Sequence, residues 1–193
     1  MKEIYERIRD LAAPYQDKRD DDGHARITLA YAHRLLEMEG GDENIVIPAI
    51  ILHDIGWSRV LASETAIIFD PATTPQQEYG VRRSHQDEGV RLAGDLLAEI
   101  DYPGQLTDDI LEIISEHDTR QGFISRNEGL VRDADKLWRF SSTGFAADVR
   151  RFGITREAQA ARLEAQLDRP DFFYSEAARR LAREELARRR AEA

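Results

Sequence analysis

Apolar residues recur along this chain at spacings of three and four, the period of a helix with one buried face. Ile4, Ile8 and Leu11 predict a helix over 3–13. The polar stretch 16–23 ends in Asp20-Asp21-Asp22-Gly23, which reads as a loop and a helix start. Ile27, Tyr31, Leu35 and Met38 then stripe a helix over 24–39, stopped by Gly40-Gly41. A third helix is predicted over 44–56, with Pro48 in its first turn or bending it. Residues 57–82 are irregular, with Pro71 and Pro75 inside them, and read as a long connection with one short helix near Glu64–Ile68.

Ser84-His85-Gln86-Asp87 has the form of a capping box, predicting a helix start there and a stripe of His85, Gly89, Leu92 and Leu96. Tyr102-Pro103-Gly104 breaks the chain, and Thr107 is placed to cap a helix striped by Ile110, Ile113, Ile114 and His117. A further helix is predicted over 129–140. The Ala-, Arg- and Glu-rich segment from 155 to the end reads as two helices broken around 168–171. Leu163, Leu167, Leu181 and Leu186 are placed there to pack on the domain or on a second subunit. No alternating strand pattern, hairpin dipeptide or internal repeat is present. The expectation is an all-α chain, a single domain of 1–193 with a helical tail over about 155–193.

Composition narrows the chemistry. Lys plus Arg number 27 and Asp plus Glu 37, a net charge of −10 that argues against general nucleic-acid or anionic-membrane binding. The chain has no cysteine, so disulfides and thiolate sites are excluded, and His, Asp and Glu are the strong metal ligands left. The longest apolar run, Ile45–Leu52, is far short of the roughly 20 residues of a membrane span. Residues 1–7 hold no apolar signal core, and the expected location is the cytoplasm.

Of the five histidines, His24, His85 and His117 fall on inward faces of three different helices, while His33 points away from His24 by its angle on the shared helix. His53-Asp54 closes the most apolar segment, where a carboxylate is strongly disfavoured unless it is paired or coordinated. A bound metal ion would satisfy all of these groups together; a capping Asp and a His in a polar pocket is the competing reading of the doublet.

Asp22-Gly23-His24, Ile51-Leu52-His53-Asp54-Ile55-Gly56, Ser84-His85-Gln86-Asp87-Glu88-Gly89, Glu116-His117 and Asp133-Ala134-Asp135-Lys136-Leu137 follow one another in that order. Over about 20–140 this resembles the HD superfamily of metal-dependent phosphohydrolases, and within it the subgroup with two extra histidines. The resemblance implies an HD-domain helical bundle with a long connection after the HD helix. It implies His24, His53, Asp54 and one Asp of the 133–135 pair on a first metal, with His85 and His117 on a second that Asp54 bridges. Helical angle does not choose between Asp133 and Asp135; the family's Ala-Asp-Lys/Arg-Leu favours Asp135. The cyclic-dinucleotide phosphodiesterases of the family carry Lys where Trp57 stands here, and a Gly-Tyr-Pro signature absent from this chain, which weighs against that substrate.

The implied activity is hydrolysis of a nucleotide or similar small phosphate ester or anhydride by a metal-bound hydroxide. Two divalent ions carry +4 and the two aspartates return −2, so a locally positive site can serve an acidic protein. Fe or Mn is favoured by the resemblance, and Co, Ni, Zn or Mg also suits imidazole and carboxylate ligands. Asp54 carries the catalytic role, Asp118 is placed to assist proton transfer, and Arg82, Arg83, Lys136 and Arg139 are candidates for binding substrate phosphates. Trp57 and Tyr79 are candidates for stacking on a base. The expected partner is a small phosphorylated substrate, with neither nucleic acid nor membrane and with a homo-oligomer open. Two other readings stay open: a mixed-valence di-iron oxygenase of the same fold, and a non-catalytic metal- or nucleotide-binding module.

Overall fold

The computed structural model describes residues 2–18, 21, 23–70 and 72–192. Met1, Asp20, Asp22 and Pro71, all singled out in the sequence, lie outside the described residues. The fold is all-α, with ten α-helices and no strand among the described residues. The helices are α1 (Glu3–Ala12), α2 (His24–Glu39), α3 (Glu43–Leu52), α4 (Ala62–Ile67), α5 (Pro75–Glu99), α6 (Gly104–Glu116), α7 (Arg126–Leu137), α8 (Ser142–Phe152), α9 (Arg156–Leu167) and α10 (Glu176–Ala191). No helix among the described residues is long and apolar enough to cross a membrane. The chain divides into two compact units, Met1–Arg19 with Asp42–Gln121, and Asp20–Gly41 with Gly122–Ala193.

The first unit is built around α3. Every residue from Ile45 to Leu52 is buried, as a helix apolar on all sides requires. The Asp42 side chain starts it by accepting from the Asn44 N–H at 2.8 Å. Pro48 is the sixth helical residue, so it lies beyond the first turn and leaves the Asn44 carbonyl without its usual intrahelical donor. The Tyr102 hydroxyl, from the turn before α6, donates to that carbonyl at 2.6 Å. The helix predicted to reach residue 56 stops at Leu52. Asp54 leaves helical geometry (φ −105°, ψ 2°), and residues Ile55–Arg59 form a 3₁₀ turn.

That turn lies against α5 at van der Waals limit. A Cβ on Gly56 would stand 1.9 Å from the His85 carbonyl oxygen and 2.5 Å from the Gly89 nitrogen. The predicted start of α5 at Ser84 is corrected: the helix begins nine residues earlier, at Pro75. Thr74 accepts from the Gln77 N–H and Gln77 returns the bond to the Thr74 N–H, so the capping box is Thr74–Gln77, with Pro75 at the first helical position. Ser84 sits inside the helix, and the Asp87 carboxylate binds Arg83 at 2.7 Å instead of capping. Thr107 likewise caps nothing: α6 starts at Gly104, and the Thr107 N–H donates to the Pro103 carbonyl within the first turn.

The second unit assembles α2 and α7–α10. Helix α7 starts at Arg126, capped by Ser125, and a 3₁₀ turn at Trp138–Phe140 follows it. Helix α8 was not anticipated; it is capped by Ser141 and ended by Gly153 in the left-handed region (φ 58°). The tail is two helices, as predicted, and Leu163, Leu167, Leu181 and Leu186 are all buried within the unit. Its anchor is Asp133 on α7. This fully buried carboxylate accepts from the Tyr174 N–H (2.8 Å), the Ser175 N–H (2.9 Å) and the Ser175 hydroxyl (2.7 Å), at the entry to α10.

Gly56→Ala would drive a methyl group into the α5 backbone, which no side-chain rotation relieves. We expect a loss of about 2–3 kcal/mol of stability from such overpacking, read as a lower midpoint in urea unfolding followed by circular dichroism. An unchanged midpoint would show that the close approach of the turn to α5 is dispensable.

Candidate metal centre

In the first unit, the end of α3 delivers His53 and Asp54, α5 delivers His85, and the end of α6 delivers His117. The three imidazoles are buried, and Asp54 is 16% exposed at its side chain. The His53 Nδ1 lies 2.8 Å from the Ile50 carbonyl, and the His117 Nδ1 lies 2.8 Å from the Ile114 carbonyl. A carbonyl can only accept, so both Nδ1 atoms carry the proton, and in the neutral ring the lone pair is left on Nε2. Those Nε2 atoms turn towards one carboxylate. His53 Nε2 is 3.6 Å from Asp54 Oδ2, while His117 Nε2 is 3.4 Å and His85 Nε2 3.8 Å from Asp54 Oδ1. His85 and His117 bring their Nε2 atoms to 3.3 Å of each other.

Acceptor atoms facing one another in a buried place call for a cation or a proton between them. Asp54, His85 and His117 each offer a ligand atom, and these lie within 4.8 Å of one another. That spacing and the nitrogen–oxygen donor set fit a divalent transition metal. The two oxygens of Asp54 are divided, one facing His53 and the other facing the His85–His117 pair, which is the disposition of a carboxylate able to serve two ions.

Trp57 secures this cluster. Its indole is buried and stacks on the His85 ring at a centroid distance of 3.9 Å, 13° from parallel. Its Nε1–H donates to Asp54 Oδ1 at 3.1 Å. It is therefore committed to two site residues and is not open to a base, whereas Tyr79 is 55% exposed. Asp118, one residue past His117, has Oδ2 3.7 Å from His85 Nε2 and accepts from Arg82 at 2.8 Å. Arg82 also binds Glu78, and the charge of Asp118, above all, raises its affinity for its proton. Arg83 is turned to the Ser115 carbonyl and to Asp87.

In the second unit, His24 opens α2 with Nε2 3.3 Å from Asp135 Oδ1 on α7, and its ring meets the edge of Trp138 at 5.1 Å. The two aspartates of α7 are thus divided. Asp133 is consumed by the α10 entry, and burial raises its pKa, with the Ser175 and Tyr174 hydrogen bonds opposing the rise. Asp135 faces His24. Asp21, which the sequence offered only as part of an acidic loop, is buried with a carboxylate oxygen within 4.8 Å of a His24 ring nitrogen. Nothing in the pattern of three consecutive acids marks the middle one. His33 is half-buried, farther along α2. Lys136 donates to the Phe172 carbonyl and lies over the Phe123 and Phe172 rings; burial lowers its pKa to about 8, with Arg132 adding to the fall. Arg139 has its Nη1 3.9 Å from Asp148.

Removing the indole separates its two contacts. Trp57→Ala should cost about 3–5 kcal/mol through the cavity it leaves, and Trp57→Phe, which keeps a ring on His85 but not the bond to Asp54, about 1 kcal/mol. Equal midpoints for the two variants in urea unfolding would show that the stack contributes nothing.

The HD domain family profile matches residues 22–139, more than half of the chain. Among solved structures, the chain is similar to a predicted HD superfamily hydrolase from an uncultured Thermotogales bacterium. Identity is 21%, coverage 96% of this chain and 84% of that one, and the TM-score 0.59, a likeness of fold. No curated protein matches the chain. With the matched segment carrying His24, the His53-Asp54 doublet, His85, His117 and Asp135 in order, the chain belongs to the HD domain family.

Proposed function

We propose that this protein is a metal-dependent phosphohydrolase that cleaves a nucleotide or similar small phosphate ester or anhydride. His24, His53, Asp54, His85, His117 and Asp135 act as its metal ligands, with two ions per chain. The observation that carries the reading is the divided Asp54 carboxylate, one oxygen towards His53 and the other towards His85 and His117. The carbonyls of Ile50 and Ile114 support it, since they keep Nε2 of His53 and His117 available as ligand atoms. Family membership supports the same reading.

A divalent ion held there supplies Lewis-acid activation of water and neutralises charge on the phosphate. The protein's own groups do the rest. Trp57 fixes the plane of His85 and the orientation of Asp54. Arg82 holds Asp118 Oδ2 beside His85, where it can take or return a proton during cleavage. The ligand set suits Fe or Mn, with Co, Ni, Zn or Mg as alternatives.

Elemental analysis of the purified protein should find about two transition-metal ions per chain. His53→Ala and Asp54→Ala should lose metal and phosphate release from a panel of nucleotides, with helix content kept, and chelation should do the same to the unmodified chain. His33→Ala should keep both metal and turnover. Full metal and full turnover in either doublet variant would refute the assignment. Iron with O₂ uptake and no phosphate release would identify an oxygenase instead, and full metal with turnover of neither kind a binding module.

A further inference from the structure

Three residues on one side of α5, Arg82, His85 and Gln86, meet three consecutive residues just past the end of α6. His85 and His117 bring their Nε2 atoms to 3.3 Å, and Arg82 donates to Asp118 at 2.8 Å. The third pair is Gln86 with Thr119, whose hydroxyl donates to Gln86 Oε1 at 3.1 Å. Helix α6 ends at Glu116, so His117, Asp118 and Thr119 stand outside it. The Thr119 and Arg120 N–H groups both return to the Glu116 carbonyl, which closes the turn on α6 itself. The three links from this turn to α5 are made by side chains.

The first two pairs already have a part in the site, as facing ligands and as a carboxylate held beside His85. The third has none. Gln86 is 0% exposed, and its Nε2 has no hydrogen-bond acceptor among the described residues. A buried amide donor without an acceptor costs stability, and a methionine of similar volume avoids that cost. Stability therefore does not favour glutamine at this position. What glutamine adds is its bond to Thr119, placed one residue after His85 on α5 and two after His117 on the turn.

We propose that the Gln86–Thr119 pair clamps the turn carrying His117 to α5, and so sets how tightly the ion facing Asp54, His85 and His117 is held. Both are positioning residues that act through the two histidines and not on the ion itself. The inference rests on the metal-site reading given above. With the clamp closed, the two imidazoles stand ready for one ion. Without it, binding must also order the turn, which weakens binding. The bond thus raises metal affinity, while the orphan donor lowers the stability of the fold. The two properties respond to Gln86 in opposite directions, which a merely structural hydrogen bond would not produce.

The experiment is calorimetric titration of the metal-stripped full-length protein with Mn²⁺, beside urea unfolding of the metal-free forms. The binding step lost in His85→Ala identifies the ion concerned. Gln86→Met and Thr119→Val should each weaken that step about tenfold, and Thr119→Ser, which keeps the hydroxyl, should preserve it. The double variant of Gln86→Met with Thr119→Val should bind no more weakly than either single one, because all three lose the same bond. Metal-free Gln86→Met should unfold at a urea midpoint no lower than that of the unmodified chain. Normal Mn²⁺ affinity in both single variants, or losses that multiply in the double variant, would overturn the clamp and leave the metal site standing. A lowered midpoint in Gln86→Met, with Thr119→Ser as impaired as Thr119→Val, would reduce the pair to a structural contact and overturn the clamp as well. An unmodified chain that takes up no Mn²⁺ would overturn the metal-site reading and the clamp with it.

Discussion

A carboxylate at the end of the most apolar helix of the chain is the constraint on which the first unit turns. Ionised Asp54 would be costly beside Ile45–Leu52 without compensation. The Trp57 indole N–H meets it from the 3₁₀ turn, and the imidazoles of His53, His85 and His117, from the end of α3, from α5 and from the end of α6, face it with Nε2 atoms between which a cation fits. Meeting that demand dictates other choices. Gly56 is required because the turn carrying Trp57 must touch the α5 backbone. Pro48 is tolerated within α3 because Tyr102 reaches the carbonyl it strands. The site and the core of this unit are one packing problem.

The second unit solves a different problem with the same residue types. Its two aspartates on α7 stand two positions apart and are equivalent by helical angle, yet they have opposite fates. Asp133 receives three hydrogen bonds from the entry of α10 and becomes part of the scaffold, while Asp135 faces His24. A partner some forty residues downstream decides between them. That is why local periodicity left the choice open.

Much of the architecture was legible because period and punctuation agree. Helix α2 runs over the predicted 24–39, and the inward faces assigned to His24, His85 and His117 are the buried ones. The misreadings came from local signals with competitors. Ser84-His85-Gln86-Asp87 has the capping-box pattern, but Thr74-Pro75-Gln76-Gln77 has a similar pattern with proline at the first helical position, and the helix runs through Gly80 between them. Helix α8 is absent from the expectation although Ser141 and Gly153 bracket it and Phe145, Val149 and Phe152 fall at the helical i, i+4, i+7 spacing. Asp21 was hidden in a run of like residues, and the commitment of Trp57 to His85 depends on a turn that only tertiary packing creates.

The chain has only two tryptophans, and each unit contains one of them in contact with a histidine: Trp57 flat against His85, Trp138 edge-on to His24. Indole emission is sensitive to the charge and electronic state of a ring it touches. The protein therefore carries two intrinsic optical reporters. Each is assigned by position to a different part of the histidine set, so with one indole replaced, events at the other can be followed without an added label.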